Sequence, residues 1–397
     1  MKMARISFLL LLFSCVFFLA GCWDRKEVND LAIITAAGLD KKEDDKIELS
    51  VLVYIPRAGG GQQMGGGGGS SSAQQVLVRS AEGITIADAM SKLQQKFPRR
   101  LFWGHAEVFI ISEKLAEEDV RPDFDFILRH PQLRESANIF ICKSLAKDLI
   151  ALTPPLERDL AEVLRELSQL QIGMDVTIKE FSQMMIGDSG AAAVPYIEKL
   201  ALPKTNTEVE TIAYITGTAI FKKGKLVGVI DESVTRGVLW LRNEIELAIV
   251  TIQPEGAEGH ISMNLLRAKT ELKPSIKDGK WVITLKAETE DDIIKNGTKL
   301  DLSNPNVIRE LEQELKADIV NKVQLALDVV QKDMNADILG FADAFHRAYP
   351  NIWKENKHEW DEIFPDVEVV IDAKAYIRRP GMVTKPALIP EEEVIHE

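Results

Sequence analysis

Ile47-Glu-Leu-Ser-Val-Leu-Val-Tyr-Ile55 is rich in β-branched residues and partly alternates apolar with polar side chains. Such a run suits a half-buried strand. Upstream, Leu31-Ala-Ile-Ile-Thr35 has the same character, and the polar stretch Asp40–Lys46 between the two reads as a turn. Together they predict a β-hairpin near the start of the folded body. Downstream, Val76–Val78 read as a strand and Thr85–Phe97 as a helix, with Ile86, Ala89, Met90, Leu93 and Phe97 on one face. Glu107–Ser112 and Asn138–Lys143 read as strands, with a short helix at Arg121–Arg129 between them. Pro154-Pro155 precede a helix predicted over Leu156–Leu170, whose stripe of leucines is that of a core-facing helix. Strands and helices alternate from Cys22 to about Ile178, as in one α/β-type domain.

A second region, 179–246, holds the hairpin Tyr214–Phe221 / Leu226–Ile230 and a short helix with Val238, Leu239, Trp240 and Leu241. The third, 247–380, opens with strands, including a hairpin that turns through Lys277-Asp-Gly-Lys280. Ser303 or Asn304 can cap a long helix with Pro305 in its first turn, where the missing N–H costs nothing. Helices are expected at Asp337–Tyr349 and Trp353–Phe364, then a closing strand at Val367–Ile377 and a polar tail, 381–397. The predicted fold class is mixed α/β (α+β) and multi-domain: three sheet-and-helix domains, 22–178, 179–246 and 247–380. The tract 58–75, with Gly59–Gly61, Gly65–Gly69 and Ser70–Ser72, reads as a flexible loop. It contains no lysine, so it is not a phosphate-binding loop.

The 397 residues are more than one ordinary domain needs. A net charge of −13 argues against nucleic acid, because phosphate contacts need a surplus of Lys and Arg. The same charge would repel anionic lipid, so membrane attachment has to come from something other than a basic patch.

Residues 1–21 supply that something. Lys2 and Arg5 precede an almost wholly apolar run, Ile6–Leu19, of signal-peptide length. The run is shorter than the roughly 20 residues that span a bilayer as a helix. Leu19-Ala20-Gly21-Cys22 then resembles the bacterial lipobox. In that chemistry the Cys22 thiol takes a diacylglyceryl group and the leader is cut between Gly21 and Cys22. Two acyl chains anchor stably where one binds only marginally. Of the remaining cysteines, Cys15 lies in the leader and Cys142 reads as a small buried hydrophobe. No intrachain disulfide is then available to the mature chain.

No catalytic, cofactor or metal constellation is legible. The six histidines are scattered, and no His-Glu-x-x-His, Cys-x-x-Cys or Gly-x-Ser-x-Gly pattern occurs. His358-Glu359 reads as a solvated polar face. Asp291-Asp292 and Glu391–Glu393 read as solvated charge runs on a turn and on the tail.

Cys22-Trp-Asp-Arg-Lys-Glu-Val-Asn-Asp-Leu-Ala-Ile-Ile-Thr-Ala-Ala-Gly-Leu-Asp40 resembles the opening of the Ger(x)C family, the lipoprotein C subunits of spore germinant receptors. The resemblance continues through Trp103-Gly-His-Ala-Glu-Val-Phe-Ile-Ile-Ser112, Gly217-Thr-Ala-Ile-Phe221, Leu226-Val-Gly228 and Arg236-Gly-Val-Leu-Trp-Leu241. It ends with Asp337-Ile-Leu-Gly-Phe341, Trp353, Trp360, Phe364-Pro365 and Ile377-Arg378. Leu39 stands where an isoleucine-like residue is expected, a conservative change. The resemblance implies a three-domain, non-enzymatic lipoprotein on the outer face of the inner spore membrane. It would work with a membrane-embedded A subunit and a transporter-like B subunit. Trp23, Asp24 and Arg25, at the membrane-proximal end, are candidate partner contacts or, equally, local structure. Two other classes stay open: a solute-binding lipoprotein of an importer, with two lobes around a hinged cleft, and a lipid-anchored cell-wall hydrolase, which needs paired carboxylates or a zinc set.

Overall fold

The computed structural model describes residues 30–54, 76–201, 211–379 and 390. Strand β1 (Leu31–Lys41) and β2 (Ile47–Tyr54) form the predicted hairpin, and β3 (Val76–Gly83) extends it antiparallel. Helix α1 (Ile86–Gln94) follows, with Thr85 as its N-cap accepting from the Asp88 N–H. Two short strands, β4 (Arg100–Phe102) and β5 (Val108–Ser112), pair parallel with successive stretches of β1. Trp103–Glu107 spans the gap between them, with the Trp103 side chain buried.

Helices α2 (Glu113–Ala116) and α3 (Arg121–Arg129) lead to β6 (Asn138–Cys142). Then come α4 (Ala146–Ile150), α5 (Leu160–Gln169), α6 (Ile178–Ile186) and β7 (Ala191–Lys199). The hairpin β8 (Ala213–Lys222) and β9 (Lys225–Asp231) completes a nine-stranded sheet, ordered β3-β2-β1-β5-β6-β7-β8-β9 with β4 beside β1. The 178/179 position expected as a boundary falls at the start of α6, and β6 and β7 on either side pair in this one sheet.

Helix α7 (Glu232–Arg242) leaves the first sheet, capped by Asp231 and ended by Asn243 in the left-handed region. The second sheet is β10 (Ile249–Ile252), β11 (Ile261–Lys277), β12 (Lys280–Asn296) and β13 (Glu368–Arg379), in that order. β11 and β12 turn through Asp278 and Gly279, where the chain takes positive φ. Between β12 and β13 lie α8 (Pro305–Ala326), a π-helical turn (Leu327–Asp333), α9 (Phe341–Ala348), α10 (Pro350–Asn356) and α11 (Trp360–Ile363). Asn304 caps α8 with Pro305 in its first turn, as the sequence predicts.

Alternation along the strands divides the interior. Ala36, Val108, Ile110, Phe140 and Cys142 face α4 and α5 on one side of the first sheet. Ala37, Phe109, Ile111, Ile139 and Ile141 face the other side, in a core that runs continuously into the second sheet. Cys142 is fully buried, and burial pushes its thiol far above the usual range.

Several predicted elements are shorter or differently placed. The helix predicted from Leu156 begins at Leu160, because the Asp159 carboxylate caps the Glu162 N–H; Leu156 is left exposed. The helix predicted from Asp337 begins at Phe341, because the Asp337 side chain occupies the N–H groups ahead of it. The reading of Asp291-Asp292 as a solvated turn is overturned. β12 continues to Asn296, and Asp291 lies on its inner face, 1% exposed.

Candidate functional site

The two sheets meet at α7 and α8. Gly237 of α7 sits against the α8 backbone so closely that a Cβ there would come within 2.1 Å of the Lys322 carbonyl oxygen. Only glycine permits that approach. Polar ties reinforce the contact. The Asn243 side chain accepts from the Thr270 N–H of β11, and Arg242 donates to the Ile338 carbonyl at 2.7 Å. Lys222 and Lys223, at the tip of the β8–β9 hairpin, both pair with Asp361 of α11. They hold that carboxyl below its usual range against the opposing effect of burial, the largest single influence on it.

On one side of this junction, Asp337 forms a closed polar knot. Its Oδ1 accepts from the Leu339 and Phe341 N–H groups, both at 3.2 Å. Its Oδ2 accepts from the Ala342 N–H at 2.7 Å and from Trp360 Nε1 at 3.1 Å. Burial raises this carboxyl and the four donors pull it back. Trp360 stands among the rings of Trp281, Phe345, Trp353 and Phe364, with centroids 5.1–5.9 Å away. Gln331 in the π-helical turn donates to the Phe364 and Val367 carbonyls, each at 2.8 Å. The aromatic residues of the sequence motif are therefore structural: they pack α9–α11 onto β12.

On the other side lies a cleft of about 280 Å³ between α7, α8 and the inner face of the second sheet. Glu232 and Ile249 stand exposed at its mouth, and Trp240, Leu265, Ile319 and Asp291 line it as buried residues. Asp291 Oδ2 accepts from Thr289 Oγ1 at 2.6 Å, while Oδ1 is buried with no hydrogen-bond partner. Burial, opposed by Thr289 and assisted by Asp292, pushes the Asp291 carboxyl up to about 6. The cations beside it are engaged elsewhere. Arg236 bonds to Glu232 at 3.3 Å and to the Leu247 carbonyl at 3.1 Å; Lys322 pairs with Asp318 at 2.6 Å.

Two family models match the chain in succession. Residues 24–199 match the spore germination protein N-terminal domain, and residues 216–381 match the spore germination B3/GerAC-like C-terminal domain. The chain belongs to the Ger(x)C family of spore germination proteins. The first match ends with β7 at 199 and the second begins at 216, within β8, so the step between the two Ger(x)C models lies between paired strands of the first sheet. Spore germination protein KC of Bacillus subtilis (strain 168) is 28% identical over 391 residues, 94% of this chain and 95% of the relative. The putative spore germination protein YfkR of the same organism is 29% identical over 392 residues, 97% and 99% of the two chains. The crystal structure of the GerBC protein superposes with a TM-score of 0.57 at 18% identity, over 89% of this chain and 100% of that one. That likeness establishes a shared Ger(x)C fold.

The residues predicted from the sequence as functional, Gly21, Cys22, Trp23, Asp24 and Arg25, lie outside the described residues, as do the glycine-rich tract from 58 to 75 and Glu391–Glu393. Among the described residues, no group of three or more His, Cys, Asp or Glu is placed to hold a metal ion, and no helix is long and apolar enough to cross a membrane. The cleft around Asp291 escaped sequence reasoning. The signal that could have found it is the period-2 continuation of β12, which places Thr289, Asp291 and Ile293 on the face of Ile283 and Leu285.

Proposed function

We propose that this chain is the non-enzymatic lipoprotein C subunit of a nutrient germinant receptor, acting with membrane-embedded A and B subunits. The observation that carries this reading is the match of nearly the whole chain, in both its halves, to proteins named for spore germination. The lipobox-like Leu19-Ala20-Gly21-Cys22 supports the remainder. A diacylglyceryl group on Cys22 would hold the acidic body at the outer face of the inner spore membrane. Confinement to that surface raises its effective concentration at membrane partners without requiring any new contact. Trp23, Asp24 and Arg25 would then be the first residues to meet those partners.

The body suits an accessory role. Its two sheets are joined by backbone-close helix packing at Gly237 and by the Lys222–Lys223–Asp361 clasp, a construction for holding a fixed surface. The test is recovery of the full-length lipoprotein, with whatever it binds, from detergent-solubilised spore inner membrane. Co-recovery of a transporter-like subunit and a larger membrane subunit is the expected result. Recovery of an importer permease with its ATPase would replace this reading with that of a solute-binding lipoprotein.

A further inference from the structure

The negative charge of this chain is unevenly spread. No acidic residue occurs between Asp88 and Glu107, and Lys96, Arg99 and Arg100 fall in that interval beside Phe97, Pro98 and Phe102. Lys92 of the same stretch is neutralised by Asp88 at 2.7 Å. Among the described residues, Lys96, Arg99 and Arg100 have no carboxylate partner; Lys96 donates instead to the Ser80 carbonyl of β3 at 2.6 Å. Lys96 and Arg100 are exposed. Strand β4 alternates, with Leu101 buried and its neighbours Arg100 and Phe102 outward, the phenyl residue 37% exposed.

The fold puts this stretch at one end of β1. β4 runs parallel to the first residues of β1, with Arg100 beside Leu31 and Phe102 beside Ile33. Cys22 precedes Leu31 by nine residues, a length of chain that spans at most about 30 Å. The opposite end of β1 is the turn into β2, where Glu43, Asp44 and Asp45 stand exposed. β1 therefore runs from a basic, aromatic end close in sequence to the lipobox cysteine to an acidic end away from it. An anionic lipid surface attracts the first and repels the second. An exposed ring beside the cations adds an apolar contact at the headgroup boundary.

We infer that Lys96, Arg99, Arg100 and Phe102 form the surface by which the folded body rests on anionic lipid headgroups. The inference rests on the reading that the chain is tethered to the membrane at its N-terminus, and it adds an orientation: β4 against the bilayer and the β1–β2 turn away from it. The net charge of the body argues against attachment by charge alone. A local patch held at the surface by a tether is different, because screening confines the repulsion of the distant carboxylates to about 8 Å at physiological salt.

The test reconstitutes the full-length protein into vesicles of phosphatidylcholine, alone or mixed with phosphatidylglycerol, and follows amide hydrogen exchange. In the anionic vesicles, exchange across 95–102 should slow about tenfold relative to the neutral ones, and high salt should remove the difference. Replacing Lys96, Arg99 and Arg100 together by glutamine should abolish the slowing while the protein stays folded. Lys277→Gln with Lys280→Gln, at the β11–β12 turn, should leave it intact. The intact mass of the same sample reports whether Cys22 is acylated, so a wrong anchor and a wrong surface are told apart. The inference fails if exchange over 95–102 is the same in both vesicles, if the glutamine variant keeps the protection, or if the protection appears at 277–280 instead. Protection of 95–102 that requires a co-reconstituted membrane subunit would assign the patch to an acidic protein partner and overturn the lipid contact.

Discussion

Asp337 and Asp291 are both buried carboxylates in the C-terminal half, and their surroundings differ in one respect. Asp337 has four donors aimed at its two oxygens; Asp291 has one donor on one oxygen, and the other is buried with none. A saturated carboxylate acts as a structural tie that replaces helix capping and fixes the start of α9. An unsaturated one resists ionisation, and burial pushes the Asp291 carboxyl up to about 6. The contrast separates a carboxylate that holds shape from one that costs stability when it ionises.

The largest effect should follow from breaking the saturated knot. Asp337→Ala strands three backbone N–H groups and the Trp360 indole, and should cost about 3–5 kcal/mol in urea-induced unfolding. Asp337→Asn, which keeps the volume and one of the two acceptor oxygens, should cost less. Equal losses in the two variants would mean that the intact two-oxygen carboxylate, which both lack, holds the knot, and that side-chain volume adds little.

Gly237→Ala comes next, since its Cβ would strike the Lys322 carbonyl and the Ala326 methyl. A loss of about 2–3 kcal/mol is expected, the usual cost of overpacking. A neutral result would show that α7 and α8 can slide apart, undoing the fixed junction on which the cleft depends.

Asp291→Asn should move stability the other way. The folded carboxyl titrates at about 6, above its unfolded value of roughly 4. The native state therefore holds the extra proton between those values and loses stability as pH rises through the window. Above pH 7 the asparagine variant should be more stable by on the order of 2 kcal/mol, and below pH 4 the two should converge. A wild-type profile flat from pH 4 to 7 would erase the distinction between the two aspartates.

The smallest effect should come from Asp361→Asn at the hairpin clasp. This part-exposed ion pair is worth under about 1 kcal/mol and should weaken further in salt.

How much of this was legible depends on whether a residue's neighbours in sequence are also its neighbours in space. The β1–β2 hairpin, the Lys277–Lys280 turn and the Asn304–Pro305 start of α8 are local, and the sequence displays them directly. Trp103, Gly217, Gly237 and Trp360 were quoted as motif residues, but their reasons are non-local. Gly217 lets β8 meet β9, with a Cβ there 2.1 Å from the Ile230 carbonyl oxygen, and Gly237 lets α7 meet α8. Glu288–Asp292 misled because four of its five residues carry charge, which reads as solvent exposure. Only the pairing of β12 with β11 and β13 shows that alternate residues of that run turn inward. The break of the predicted 353–364 helix into α10, a 3₁₀ turn and α11 has the same origin, since Trp360 is drawn to Asp337 and the ring cluster.

The proposal of a receptor subunit that works from a lipid anchor is tested most directly by restoring germination to spores that lack this chain. Wild-type protein should return to the membrane fraction and restore nutrient-triggered germination. Cys22→Ala should leave the membrane fraction and restore little or none. Full germination with the Cys22→Ala protein recovered in the soluble fraction would contradict the claim.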